Sequence, residues 1–226
     1  MLSAAEFFGK DKITIFHGSP VEVRVPTYGV GNPRNDYGLA FYCTELKELA
    51  CEWACPTESD GIVNEYELDC TDLKLLNLNS DEFSVLNWLA VLVKNRPLGQ
   101  RHQITNEMQK CLIEQYSVNL NKADIVYGYR ADDSYFSFAR AFLNNTISLE
   151  SLEQALFFGG LGFQVALRSK KAFKHIRYVG SEAVPGALWN PRRMERDSLA
   201  RAAFERIQRE QGLGGTRAID IIGKGE

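Results

Sequence analysis

The first third of the chain alternates apolar and polar positions over short stretches, a pattern that is typical of β-strands. Residues 13–18 (ITIFHG) form the first stretch, and residues 38–44 (GLAFYCT) form the second. The segment between them is rich in Gly, Pro, Asn and Asp, which predicts a loop with turns. A third stretch, over residues 61–70, predicts a strand with one solvated face.

Helical spacing alternates with further strands over the rest of the chain. A helix is predicted over residues 45–55, and a second one over residues 82–96 with Ser80 or Asp81 as its N-cap. The other predicted elements are strands over residues 73–78, 123–129, 163–169 and 177–181, and helices over residues 106–119, 132–145, 148–158, 170–176 and 190–212.

The irregular order of strands and helices predicts an α+β protein, with two small sheets and helices packed around them. No internal repeat and no break in composition divides the chain. We therefore expect one domain over residues 1–185. A C-terminal extension over residues 186–226 is expected to hold a polar surface helix and a partly loose tail.

Composition and charge are those of an ordinary soluble globular protein. The chain has 226 residues, of which 45% are hydrophobic and 24% are charged, and its formal net charge is −3. This charge supplies no overall basic field for nucleic acid, and the Arg-rich segment over residues 190–206 is the local candidate for one. The simplest interpretation of that segment is a helix face exposed to solvent. The alternative is that its arginines bind an acidic partner or a phosphate.

No segment of the given sequence is expected to direct the protein to or across a membrane. Its start, MLSAAEFFGKDK, has no basic region followed by an apolar core, so no secretory signal is predicted. No window approaches the roughly 20 apolar residues that a bilayer crossing requires. We therefore expect a cytoplasmic protein without membrane partners.

The cysteines and histidines do not support a disulfide framework or a metal centre. There are five cysteines, an odd number, and no CxxC pair. Cys51 and Cys55 lie four residues apart on a predicted helix, but none of the three histidines lies at a ligand spacing from them. We expect buried thiols and no metal.

Polar side chains on three predicted strands suggest chemistry on a flat ligand. The HGS sequence ends the first strand and places the His17 imidazole, a glycine backbone and the Ser19 hydroxyl close together. Tyr42 presents a ring from the second strand, and Gln164 presents an amide at the start of a later strand. An imidazole for a ribose hydroxyl, a ring for stacking on nicotinamide and a polar group beside the anomeric carbon suit cleavage of the nicotinamide–ribose bond of NAD.

Several ordered sequence blocks resemble a known family. They are FHGS (16–19), NDYGLAFYCT (35–44), EWA (52–54), ADIVYGYRADD (123–133) and FQVALRS (163–169). The first two are similar to the first motifs of ADP-ribosyltransferases of the diphtheria-toxin/PARP type. The whole series is similar to a bacterial ADP-ribosyltransferase-like group classed as DUF3990. The resemblance covers roughly residues 12–180 and implies a split β-sheet core with surrounding helices.

The resemblance implies a catalytic set of His17, Tyr42 and Gln164. His17 would bind ribose hydroxyls of NAD, Tyr42 would stack on the nicotinamide ring, and Gln164 would occupy the third, catalytic position. Gly18 would offer backbone hydrogen bonds to the nicotinamide carboxamide. The NAD-binding residues implied at matching positions are His17, Gly18, Ser19, Asp36, Tyr42 and Asp133.

The third position departs from the better-known transferases, which carry glutamate there. A neutral amide such as that of Gln164 stabilises a forming cation less well than a carboxylate does, because it is a dipole and not a charge. Asp132, Asp133 and Glu182 are the candidates for supplying the missing charge.

The function implied by the resemblance is an NAD-dependent ADP-ribosyltransferase. It would move ADP-ribose to a macromolecular acceptor, with protein favoured over nucleic acid, as a bacterial toxin or effector that works in the cytoplasm or in a target-cell cytosol. NAD would be the substrate, and an antitoxin or regulator is a further expected partner. Two alternatives stay open: a module that binds NAD without turnover and acts through partners, and an NAD glycohydrolase with water as the acceptor.

Structural roles are the competing interpretation of the same residues. Taken alone, His17 suits a hydrogen-bonded structural histidine, and Tyr42 suits a core aromatic with its hydroxyl at the surface. Ser19 lacks the GxSxG turn of a hydrolase nucleophile. Cys43 is expected to point to the face opposite Tyr42, which disfavours a nucleophilic pair with His17.

Overall fold

The structure of the chain is a computed structural model that describes residues 1–96, 103–131, 133–158, 162–211 and 214–223. Its strands are β1 Leu2–Ser3, β2 Lys12–Ser19, β3 Phe41–Cys43, β4 Gly61–Asp69, β5 Lys74–Asn77, β6 Ile125–Tyr129, β7 Phe163–Leu167 and β8 Ile176–Val184. Its helices are α1 Ala4–Phe8, α2 Lys47–Ala54, α3 Val85–Asn95, α4 Gln103–Gln115, α5 Asp133–Leu143, α6 Leu149–Phe158, α7 Ala172–His175, α8 Gly186–Gln211 and α9 Ala218–Ile222. The α+β class predicted from the sequence is confirmed.

The strands form two sheets within the described ranges. The larger has five strands in the order β1-β5-β6-β7-β3, and the smaller has three strands in the order β2-β4-β8. Strands β5 and β6 pair in parallel, and the other neighbours pair antiparallel. The expected arrangement of two small sheets with surrounding helices is therefore present.

A β-bridge joins the two sheets at their facing edges. The Phe16 amide donates to the Thr44 carbonyl over 2.8 Å, and the Thr44 amide donates to the Phe16 carbonyl over 2.9 Å. The pairing of β2 with β3 goes no further than this bridge among the described residues. We call the space beyond the bridge, between Gly18 and Tyr42, the β2–β3 gap.

Helix α2 packs across β2 and β4 at two glycines. A Cβ atom built on Gly18 would lie 2.0 Å from the carbonyl oxygen of Ala50, and one built on Gly61 would lie 2.2 Å from that of Ala54. Both neighbours are backbone atoms, so a larger residue would displace the helix. The same packing leaves Val63 only 1% exposed, which corrects the expectation of a solvated face at this point of β4.

Hydrophobic side chains pack on both faces of the five-stranded sheet. On one face, α3, α5 and α6 form a core that includes the fully buried Trp88 and Phe142. On the other face, Ile15, Leu68 and Leu75 pack between the two sheets. Burial of each such side chain stabilises the fold by about 1.5–3 kcal/mol. These two cores hold the facing edges of β2 and β3 in place.

The N-cap of α3 lies later in the chain than the sequence predicts. Ser84, and not Ser80 or Asp81, occupies the cap position, and its amide donates to the Asn87 side chain over 2.9 Å. The Ser80 hydroxyl donates instead to the Asn77 carbonyl and closes a turn ahead of the helix. Several short polar side chains near a helix start compete for backbone groups, and local sequence does not rank them.

The C-terminal extension packs onto the rest of the chain. Helix α8 begins at Gly186, earlier than predicted, and the Phe204 ring stacks on the Phe138 ring with 4.0 Å between centroids. Ile207 on α8 and Ala218 on α9 are 2% and 0% exposed. The tail predicted to be loose therefore contains a packed helix, α9. The expected domain boundary before Gly186 stays a prediction.

Candidate functional site

His17 lies at the β2–β3 gap and is held by the main chain of β3. Its Nδ1 lies 2.7 Å from the Tyr42 carbonyl oxygen, and its ring packs against the Phe41 ring with 4.4 Å between centroids. A carbonyl only accepts, so Nδ1 carries a proton and Nε2 offers a lone pair when the ring is neutral. Burial lowers the pKa of His17, and the bond to Tyr42 opposes that shift only in part, so the neutral ring is favoured.

Gly18 presents an edge of β2 to the same gap. Both main-chain groups of Phe16 point towards β3, and strand geometry directs those of Gly18, two residues later, to the same side. No strand pairs with that edge beyond the Phe16–Thr44 bridge in the part of the chain that the structure describes. The N–H and C=O of Gly18 therefore face the gap in the plane of the sheet, the arrangement that a planar carboxamide complements.

Ser19 is buried and engaged in a turn where the chain leaves β2. Its hydroxyl donates to the Val21 carbonyl and accepts from the Asn64 side-chain amide over 3.2 Å. The Asn64 Oδ1 accepts in turn from the Val23 amide over 2.7 Å. These contacts give Ser19 a structural role. Its expected place beside nicotinamide stays a prediction.

Tyr42 is anchored through its hydroxyl. The hydroxyl donates to the Gly38 carbonyl over 2.6 Å and accepts from the Tyr37 amide over 3.1 Å. Burial raises the pKa of Tyr42, so the hydroxyl stays protonated at neutral pH. The ring is thereby fixed against the loop over residues 35–40. It lies on the face of β3 opposite Cys43, as the strand alternation predicted.

Gln164 is buried and bonded to Asp36. Its Nε2 donates to Asp36 Oδ2 over 2.9 Å and to the Tyr129 carbonyl over 3.1 Å. The Asp36 carboxylate also accepts from the Arg96 guanidinium over 2.9 Å and from the Ala131 amide over 2.8 Å. Gln164 is 3% exposed and Asp36 is 6% exposed. Asp36 is thus a buried negative charge compensated by donors from three directions.

A polar cavity of about 240 Å³, which we call the Gln164 cavity, lies beside this network. Its lining side chains include Asn35, Asp36, Tyr42, Trp53, Arg96, Arg130, Gln164 and Arg193. The guanidinium carbon of Arg130 lies 4.7 Å from the centre of the Trp53 ring. Guanidinium groups match phosphate geometry, so this lining suits a ligand that carries an anionic group.

The structure brings some of the predicted residues together and separates others. Asp36, Tyr42 and Gln164 line the same cavity. His17 packs against Phe41 on the other face of β3 and contacts Tyr42 through the Tyr42 main chain. The predicted catalytic set therefore spans both faces of β3, with the β2–β3 gap between them.

The acidic residues proposed to supply charge near Gln164 have different positions. Asp133 is the first residue of α5, and its side chain, like all of Asp132, lies outside the described part of the chain. Glu182 lies on β8, is half exposed and accepts from Lys47 over 3.0 Å. The carboxylate in contact with Gln164 is that of Asp36. The prediction that Asp36 and Asp133 contact NAD stays a prediction.

The cysteines are free and buried. They are Cys43, Cys51, Cys55, Cys70 and Cys111. Burial raises the pKa of Cys43 well above its ordinary value, so this thiol is not an activated nucleophile.

In the described residues, no three His, Cys, Asp or Glu side chains are grouped as metal ligands. No helix among the same residues is long and apolar enough to cross a membrane.

Sequence reasoning did not single out three residues of the cavity wall, Trp53, Arg96 and Arg130. Trp53 and Arg130 stand inside the quoted blocks EWA and ADIVYGYRADD, so a signal for them was present. Arg96 carries no local motif, because its partner Asp36 lies 60 residues earlier. Arg193, from the Arg-rich segment, also lines the cavity, and a phosphate contact for that residue stays a prediction.

Comparison with known proteins agrees with the sequence blocks. The family described as "Protein of unknown function (DUF3990)" matches residues 13–178, which is more than half of the chain. Neither the curated proteins nor the solved structures that were compared gave a match. The chain therefore belongs to the DUF3990 family.

Proposed function

We propose that the protein is an NAD-dependent ADP-ribosyltransferase. It would cleave the nicotinamide–ribose bond and transfer ADP-ribose to a macromolecular acceptor, with protein favoured over nucleic acid. The observation that carries the proposal is the edge of Gly18 in the β2–β3 gap, beside the His17 imidazole and facing the main chain of Tyr42. A strand edge without a partner strand, next to a neutral imidazole, suits a nicotinamide nucleoside.

The Gly18 edge supplies the groups that nicotinamide needs. A carboxamide has one carbonyl acceptor and an NH₂ donor in one plane, so it can pair with the N–H and C=O of a single strand residue. The approach of α2 to Gly18 leaves no room for a side chain there, with only 2.0 Å to the Ala50 carbonyl oxygen. A glycine at this position therefore keeps α2 in place and leaves the edge to the ligand.

His17 supplies an acceptor for a ribose hydroxyl. Its Nδ1 is committed to the Tyr42 carbonyl, which leaves Nε2 with a lone pair. The lowered pKa of His17 keeps this lone pair unprotonated at neutral pH. A hydroxyl bound at Nε2 would orient the sugar while the nicotinamide is held at Gly18.

The Gln164 cavity supplies polar and cationic groups on the other face of β3. Its volume of about 240 Å³ is smaller than a whole dinucleotide requires, so it would take only part of NAD. Arg96, Arg130 and Arg193 favour a phosphate there, and Gln164 faces the reacting sugar in the proposed arrangement. Tyr42 contributes aromatic surface to the same wall.

The proposed reaction breaks one bond and forms one. The C–N bond between ribose and nicotinamide breaks, and its electron pair leaves with the nicotinamide, which becomes neutral. Positive charge develops at the anomeric carbon in the transition state. A nucleophilic atom of the acceptor forms the new bond to that carbon and gives up its proton to solvent or a nearby base. No redox step is involved.

The proposal is tested with NAD labelled separately on nicotinamide and on the adenylate phosphate. The purified protein is incubated with each label and a bacterial lysate, and both released nicotinamide and label on macromolecules are counted. We expect nicotinamide release together with label on protein. Gln164→Ala should lower release at least about tenfold, because the group facing the developing charge is removed.

Gln115→Ala is the matched control, since Gln115 is an exposed glutamine at the end of α4. It should leave nicotinamide release unchanged. Release without label on macromolecules would indicate an NAD glycohydrolase. Binding of NAD without release would contradict the transferase and favour the module that acts through partners.

A further inference from the structure

The buried pair of Asp36 and Gln164 decides which end of the Gln164 amide faces the cavity. The Gln164 Nε2 lies 2.9 Å from Asp36 Oδ2 and 3.1 Å from the Tyr129 carbonyl oxygen. A carboxylate and a carbonyl only accept, so both N–H groups of the amide are directed at them. The flipped amide would set its oxygen against two acceptors, so the hydrogen-bond network admits one orientation.

This orientation leaves the amide oxygen as the group of Gln164 that a ligand can contact. No partner for Oε1 occurs among the residues that the structure describes, and Gln164 lines the cavity wall. An amide that donates to a carboxylate is polarised, because hydrogen bonds in a chain strengthen one another. The amide oxygen therefore carries more negative charge than that of an isolated glutamine.

Asp36 is itself held in place. Its Oδ1 accepts from the Arg96 guanidinium over 2.9 Å, and its Oδ2 accepts from the Ala131 amide over 2.8 Å as well as from Gln164. Its side chain is 8% exposed, so solvent screens the charge little. The carboxylate is thus fixed in both position and orientation beside the amide.

We propose that Asp36 is a positioning residue, which directs the Gln164 amide oxygen at the reacting ribose and polarises it with a carboxylate charge. This inference rests on the proposed function, in which positive charge develops at the anomeric carbon. The pair of Asp36 and Gln164 then supplies, across one hydrogen bond, the charge that a glutamate at position 164 would carry directly.

A charge exchange between the two residues tests the proposal. Asp36→Asn removes the charge and should lower the rate of nicotinamide release by roughly tenfold or more, with the Kd for NAD changed less than about twofold. The double variant Asp36→Asn with Gln164→Glu restores one charge and one amide in exchanged positions. It should bring the release rate back to within about threefold of the wild type. Asp72→Asn, in an exposed turn, is the matched control and should change neither quantity.

The single variant Gln164→Glu gives a second readout. It places two carboxylates at hydrogen-bond distance, and such a pair holds one proton between its members. Its rate of nicotinamide release should therefore acquire a dependence on pH between about pH 5 and about pH 8, in addition to any that His17 gives both proteins. An unchanged rate in Asp36→Asn, no recovery in the folded double variant, or a pH profile in Gln164→Glu that matches that of the wild type would each overturn the proposal.

Nuclear magnetic resonance separates this inference from the proposed function, because it needs no NAD. The side-chain NH₂ signal of Gln164 is assigned by its loss in Gln164→Ala. In the wild type both hydrogens should exchange slowly with water, and in Asp36→Asn the signal should shift and exchange faster. If the wild type releases no nicotinamide, the proposed function is contradicted, but the orientation of Gln164 is not. A rapidly exchanging NH₂ group in the wild type would overturn the orientation of Gln164.

Discussion

The two sides of strand β3 differ in the kind of interaction they make. On one side Phe41 packs against the His17 ring, with 4.4 Å between centroids, and Cys43 is fully buried in the core between the sheets. On the other side Tyr42 and Gln164 line a polar cavity that includes the buried charge of Asp36. One side of the strand is therefore anchored by apolar packing, and the other is organised by hydrogen bonds and charge.

This difference shows how a three-residue strand can serve two environments. Successive side chains of a strand point to opposite faces, so Phe41 and Tyr42 are neighbours in sequence but not in surroundings. His17 and Tyr42, which the sequence pairs as one motif set, approach through a ring nitrogen and a main-chain carbonyl. The β2–β3 gap, with Gly18 at its edge, connects the two sides.

The largest effect is expected from Gly18→Ala, which disturbs the connection itself. The new methyl group would lie 2.0 Å from the Ala50 carbonyl oxygen and 2.6 Å from the Ala54 amide nitrogen, so α2 would have to move. We expect a loss of about 3 kcal/mol in the free energy of unfolding, measured by urea denaturation. Gly180→Ala, where a Cβ meets nothing within 4 Å, is the control and should change this free energy by less than about 0.5 kcal/mol.

On the polar side, Arg96→Met removes a partner of the buried Asp36 carboxylate. Breaking a buried ion pair costs about 3–5 kcal/mol, and since Arg96 is 27% exposed we expect about 2 kcal/mol in the free energy of unfolding. Arg24→Met, which removes an arginine from an exposed pair with Glu22, should leave the denaturation midpoint unchanged. Equal midpoints for the two variants would contradict a buried charge at Asp36.

Also on the polar side, Tyr42→Phe removes a hydroxyl that joins β3 to the preceding loop. The Gly38 carbonyl and the Tyr37 amide would each lose a partner, at a cost of about 1 kcal/mol in the free energy of unfolding. Tyr116→Phe is the control, because no bond to the Tyr116 hydroxyl occurs in the described ranges. The idea of an anchored ring is wrong if both variants unfold at the same urea concentration.

On the apolar side, the smallest effect is expected from the pH dependence of His17→Gln. Burial lowers the pKa of His17 in the folded protein, so as the pH falls through about 6.5 the unfolded chain binds a proton that the folded chain resists. The stability linked to His17 is therefore fully present above that pH and is lost below it. Glutamine keeps a donor for the Tyr42 carbonyl but does not titrate.

Urea denaturation at about pH 5.5 and about pH 7.5 checks this prediction. The wild type should lose more stability on acidification than His17→Gln does. Other groups that titrate in this range are common to both proteins, so they cancel in the difference. Parallel losses in the two proteins would show that His17 does not resist protonation in the fold.

Much of the fold followed from local patterns. The alternation of apolar and polar residues predicted the strands that carry FHGS and GLAFY, and it predicted that Cys43 and Tyr42 face opposite ways. Helical spacing and a proline at its end predicted the helix before Pro56. The burial of Val63 was not predicted, because it depends on α2 packing against β4. Helix α9 was missed because its few residues carry too weak a pattern, and contacts with the rest of the chain bury it.

The sequence predicted which residues belong to the candidate site, but not how these residues contact one another. His17, Gly18, Tyr42 and Gln164 were chosen from short motifs and from the resemblance they carry. The contact between Asp36 and Gln164 was not predicted, since 128 residues separate them and neither shows a local sign of the other. Asp36 supplies the carboxylate that contacts Gln164, whereas Glu182 pairs with Lys47. The charge expected from Asp132 or Asp133 stays a prediction.

The sequence by itself determined where the strands lie and which residues alternate across β3. These properties depend on neighbours within a few positions, and such neighbours are visible in a string of residues. The tertiary structure alone decided that His17 and Gln164 lie on opposite sides of β3. It also decided that the amide of Gln164 turns its nitrogen to Asp36, because the direction of a buried amide is set by acceptors that the fold brings from distant parts of the chain.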